Sequence, residues 1–62
     1  MNDAGPRFQV GQRVRYRLGN GRECTGEIQE THLTAATRRR MYVVRSDAGM
    51  THVLHEHELT DA

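Results

Sequence analysis

Between Phe8 and Leu18 the chain keeps a two-residue rhythm. Phe8, Val10, Val14, Tyr16 and Leu18 fall on even positions, and Arg13, Arg15 and Arg17 stand between the later ones. A helix would scatter these residues around its axis, whereas a strand sends alternate side chains to opposite faces. The segment is therefore expected to be a half-buried strand, with Gly11 marking a turn or bulge at its entry.

The next segment tests this by register. Cys24, Gly26 and Ile28 alternate with Glu23, Thr25, Glu27 and Gln29 beyond Gly19-Asn20-Gly21. A two-residue Asn20-Gly21 turn would oppose Leu18 to Glu23 and Val14 to Glu27, mixing carboxylates into the apolar face. A three-residue loop with Gly21 in the left-handed conformation instead opposes Tyr16 to Cys24 and Val14 to Gly26. It also sets Arg17 against Glu23 and Arg13 against Glu27 on the wet face. A one-residue slip inverts every side chain, so the second register is the expected one.

Residues 31–40 lack a steady period and read as a mobile loop ending in Arg38-Arg39-Arg40, with at most a helical turn over 35–39. Residues 41–45 form a compact apolar strand, and Ser46-Asp47-Ala48-Gly49 reads as a turn. Residues 50–54 make a fourth strand, His55–Glu58 a single helical turn, and Leu59-Thr60 a short last strand. The fold class expected is all-β: a small five-stranded SH3-like or Tudor-like barrel over residues 8–62, with a short helical turn before the last strand. Residues 1–7 are expected to be a flexible lead-in broken by Gly5-Pro6.

Phe8-x-Val10-Gly11-Gln12-x-Val14-x-Tyr16, Gly26-x-Ile28, Tyr42-Val43-Val44-Arg45-Ser46-Asp47-x-Gly49 and His55 before Leu59 together resemble the hypervirulence-associated Tudor-domain family of small bacterial and fungal proteins. The resemblance spans nearly all of the chain from Phe8 on and implies a fold more than a function. The opening block is also similar to the plasmid-borne type II dihydrofolate reductases. Those enzymes carry Val-Gln-Ile-Tyr on the fourth strand, where this chain has Thr51-His52-Val53-Leu54-His55. The resemblance therefore implies their fold without their folate and nicotinamide site.

A chain of 62 residues buries only about 60% of the surface its unfolded form exposes, which leaves little room for an enclosed cofactor. Cys24 is the sole cysteine and cannot pair within the chain; with a polar start and no apolar leader, it points to a reducing, cytoplasmic setting with no membrane span. On an inward strand position Cys24 acts as a small hydrophobe more than a nucleophile. No Ser/His/Asp set or phosphate-cradling glycine loop stands out, so neither an enzyme nor a cofactor is expected.

Every basic residue other than histidine is arginine, and all nine precede Ser46 together with four acids. The remaining four acids lie after Arg45, a split that suits an anionic partner or head-to-tail self-association. Arg38, Arg39 and Arg40, with Arg15 as the one strand arginine left unpaired by the expected register, are the candidate contacts for a nucleic acid or other anionic partner. A pI of about 8.0 and only three aromatics make such binding weak. They also exclude an aromatic cage for methylated lysine. His52, His55 and His57 are the only cluster resembling metal ligands; alternation sends His52 and His55 to opposite faces, so no metal is expected. The function expected is a non-enzymatic module that binds a protein partner or associates with itself. Weak, sequence-independent nucleic-acid binding is the alternative.

Overall fold

The computed structural model describes residues 6–62. Five antiparallel strands form one sheet: β1 (Arg13–Arg17), β2 (Glu23–Thr34), β3 (Arg39–Ser46), β4 (Thr51–His55) and β5 (Leu59–Asp61), in the order β4-β3-β2-β1-β5. A single 3-10 turn over Glu56–Glu58 joins β4 to β5. Of the lead-in expected over residues 1–7, residues 1–5 lie outside the described ones. Arg7 is tied down, its N–H donating to the Glu56 carboxylate at 3.1 Å.

The β1–β2 register is the one that the side-chain faces require: Val14 opposes Gly26 and Tyr16 opposes Cys24. Two hairpins are closed by the same device. Leu18 N–H donates to the Arg22 carbonyl and Gly21 N–H to Leu18, both at 2.9 Å. Likewise Ser46 N–H donates to the Met50 carbonyl at 2.7 Å and Gly49 N–H to Ser46 at 2.9 Å. Each loop has three residues and ends on a glycine at φ 86° or 89°, a conformation that a side chain resists.

Two expectations about the strands need correction. The alternation does not run unbroken from Phe8: residues 9–12 fold into a turn, closed by Gln12 N–H to the Gln9 carbonyl at 3.0 Å. That turn leaves Phe8 buried but throws Val10 outward, 61% exposed. Residues 31–40 are also not a loop. β2 continues to Thr34 and β3 begins at Arg39, so only 35–38 form the connection, a single α-turn closed by Arg38 N–H to Thr34 at 2.6 Å. The periodicity is hidden because a β-bulge between Ile28 and Glu30 shifts the register. Even residues point inward before the bulge and odd ones after it. Beyond it the β2–β3 pair runs out as an arm, in a molecule measuring 35 × 22 × 16 Å.

The core draws on every strand: Val14 and Tyr16 from β1, Ile28 from β2, Tyr42 and Val44 from β3, Leu54 from β4, Leu59 from β5, with Phe8 closing one end. A flat sheet would hold β4 and β5 roughly 19 Å apart, more than the about 14 Å that the residues from His55 to Leu59 can span. The sheet must therefore roll, and the Tyr16 and His52 rings meet across its inside at 5.5 Å.

Candidate functional site

The four candidate arginines do not form one patch. Arg15 lies on β1 opposite Thr25, whereas Arg39 opposes Thr34 at the far end of β2. Nine residues of strand separate these partners, roughly 30 Å if straight. Nor is Arg15 the free strand arginine. It reaches diagonally to Glu23 at 4.0 Å, and Arg13 pairs with Asp47 at 2.7 Å. Of the three β1 arginines, Arg17 is the one without an ion pair among the described residues. The expected Arg13–Glu27 pair gives way because the β3–β4 turn brings Asp47 to Arg13 as a closer acceptor, and in place of the expected Arg17–Glu23 pair Glu23 meets Arg15.

The Asp47 carboxylate also accepts the Thr25 hydroxyl at 2.6 Å, and Asp47 N–H donates to the Thr25 carbonyl at 2.9 Å. The Ser46-Asp47-x-Gly49 block is thus a clamp that holds one hairpin on the other. Ser46 contributes by accepting Met50 N–H at 3.1 Å. Arg13, Glu27, Gln29, Arg45, Ser46 and Asp47 line an open groove of about 380 Å³. Its charges are of both signs, and Arg13 and Asp47 already pair with each other, which suits no single ionic ligand.

On the arm, Arg38, Arg39 and Arg40 stay adjacent but differ in setting. Arg38 and Arg39 are exposed and have no ion pair among the described residues. Arg40 is half-buried and donates to the Thr31 hydroxyl at 3.0 Å. Arg38 has φ 57°, a left-handed conformation costing about 1–2 kcal/mol for a residue with a side chain. Leu33 lies beside Arg40 on the inward-facing side of the arm, beyond the core, and is 56% exposed.

The histidines diverge as their positions require. His52 points inward against Tyr16, while His55 and His57 stack at 5.5 Å outside. Among the described residues no three metal-ligating side chains come together. Cys24 packs partly buried against the core. It lines a second open groove of about 330 Å³ with Arg22, Glu23, Thr25, Ser46, Asp47 and Ala48. The neighbouring Tyr16 hydroxyl is buried and meets no partner at hydrogen-bond geometry among the described residues. Burial raises its pKa first and the nearby Cys24 second, so it remains a neutral phenol.

A more connected group links the N-terminal segment to the 3-10 turn. The Tyr42 hydroxyl donates to the Glu56 carboxylate at 2.5 Å and accepts Phe8 N–H at 3.4 Å. The Tyr42 bond holds Glu56 below the usual carboxylate range, while burial and then Glu56 push the Tyr42 phenol up. Asp47 is likewise depressed, first by its bond to Arg13 and then by Thr25. Depressed carboxylates contribute stability that is complete above their unfolded values, near pH 4, and is lost as pH falls toward the folded ones. The melting temperature should hold across neutral pH and drop below about pH 4.5. Glu56→Gln should melt lower at pH 7 yet lose less on acidification, and parallel curves for the two proteins would refute the assignment.

The outer face of β3 and β4 carries what the sequence reading overlooked. Val43 opposes Val53, Met41 opposes His55, and Val53 is 61% exposed. The signal was present: an unbroken apolar run over 41–44 cannot send all its side chains inward. Neither a family model, nor a curated protein, nor a solved structure matches the chain.

Proposed function

We propose that the chain is a non-enzymatic interaction module, an SH3-like barrel of Tudor type acting in the cytoplasm, which binds a protein partner or a second copy of itself. The observation that carries this reading is the apolar stripe of Val53, Val43 and Met41 on the outside of β4 and β3. In so small a domain, apolar side chains set outward beside a sheet edge favour contact with another surface. The rolled sheet and its strand order support the barrel assignment. Photo-crosslinking tests the reading: a benzophenone amino acid at Val53 in cells should trap adducts of discrete mass, whereas one at exposed Asn20 should not. Absence of adducts at Val53 would count against it.

A second reading, weak binding of nucleic acid, is favoured by one observation. Arg38 keeps a side chain where glycine would be easier, next to Arg39, at the tip of a projecting arm. Single-stranded oligonucleotides should then bind at low salt. Affinity should fall about seven- to twentyfold between about 50 and 200 mM salt if two to three phosphates are contacted. The double variant Arg38→Gln, Arg39→Gln should abolish the shift and Arg15→Gln should not; no binding by the parent protein removes this reading.

A further inference from the structure

We infer that the free edge of β4 pairs antiparallel with β4 of a second copy, about a two-fold axis at Val53. The inference rests on the interaction-module reading and names its partner. Among the described residues β4 is hydrogen-bonded to β3 alone. Antiparallel ladders bond through every second residue of a strand, and the His55 N–H is taken not by β3 but by the Glu58 carboxylate at 2.7 Å. The bonds to β3 therefore fall on Leu54 and His52. Val53 and Thr51 turn their main-chain N–H and carbonyl groups to the open side, where a neighbouring strand can receive them.

Thr51-His52-Val53-Leu54-His55 holds no lysine, proline or bulge to keep sheet edges apart, and only its last N–H, that of His55, is covered, by Glu58. The other edge, β5, follows Glu58 and ends in Asp61. A second copy fits β4 better than an arbitrary peptide does. With Val53 on the axis, each valine's N–H and carbonyl bond their counterparts. Thr51 faces His55, whose carbonyl can accept the Thr51 N–H while its own N–H stays with Glu58, and no like charges oppose. The Val43–Val53 stripe then runs across the axis into the same stripe of the second copy, one apolar band on a continuous sheet. The antiparallel arrangement also brings the acidic Glu56–Glu58 turn of each copy toward the Arg45 side of the other, since Arg45 lies beside Thr51.

Sedimentation of the full chain tests this. The mass should rise with concentration from 7.1 kDa toward twice that value. Val53→Pro removes an outward N–H that β3 does not use, and Val53→Lys sets like charges against each other on the axis. Each should weaken association by roughly tenfold or more, with circular dichroism confirming that each variant folds. Leu33→Glu, on the arm, should associate like the parent. The proposal is overturned if the parent stays monomeric up to about 1 mM, where even a transient edge contact associates. It also falls if folded Val53→Lys associates as well as the parent, or if Leu33→Glu abolishes the dimer. Adducts at Val53 to a different protein, with a monomeric parent, would reject the self-pairing and leave the interaction-module reading standing.

Discussion

Gly26→Ala should leave the domain largely unfolded. Gly26 lies buried on β2 opposite Ser46 of β3. A β-carbon there would sit 2.8 Å from the Ser46 Cα and 2.9 Å from the Arg45 carbonyl carbon. These are backbone atoms within the ladder, so neither can yield without parting β2 from β3. Overpacking against mobile side chains costs about 1–3 kcal/mol, and an immovable backbone puts this site at or above the top of that range. A domain of this size has only about 3–9 kcal/mol in total. Urea unfolding followed by circular dichroism gives the answer, with Gly21→Ala as comparison. Gly21 has open space around it and only its φ of 86° to lose, so its variant should fall by about 1 kcal/mol. Equal midpoints for the parent and Gly26→Ala would mean that the two strands do not approach so closely.

Tyr42→Ala should cost about 3–5 kcal/mol, the range for emptying a buried aromatic site. Tyr42 is fully buried, and its ring meets Phe8 edge-on at 5.6 Å. Its loss would free the segment that seals one end of the core. Tyr42→Phe keeps the ring and removes only the hydroxyl, which should cost about 1.5–3 kcal/mol because a carboxylate loses its donor. Combined with Glu56→Gln, the two changes should be markedly less than additive. Additive losses, or a Tyr42→Phe variant as stable as the parent, would show that the hydroxyl and Glu56 act independently.

How much of this was legible in the chain depended on parity. Tyr16 opposite Cys24 and Val14 opposite Gly26 could be read because the two-residue Asn20-Gly21 turn, one residue out of register, puts Glu23 and Glu27 inside. The arm could not, because the extra residue at the bulge exchanges inward and outward positions between Ile28 and Glu30. Beyond the core both faces of the arm are wet, so selection for alternation relaxes. The Asp47 clamp on Arg13 and Thr25 was hidden for another reason. It joins residues 34 and 22 positions apart, and direct opposition across β1–β2 named a nearer partner for Arg13. The basic residues stand out by type, but position along the chain says nothing about the β2 length that separates Arg15 from Arg39. Val43 is hidden by residue type alone, since in the apolar run over 41–44 only the even members face the core.

The twin three-residue hairpins and the strand order together set a timetable for folding. β1–β2 and β3–β4 each close within a short stretch of chain, so pairing them costs little loop entropy. The β1–β5 ladder, in contrast, joins Val14 to Asp61 and Tyr16 to Leu59. A ribosome extending this polypeptide thus holds two ready-made ribbons with an incomplete interior, and cooperative collapse waits for Leu59 to clear the exit tunnel.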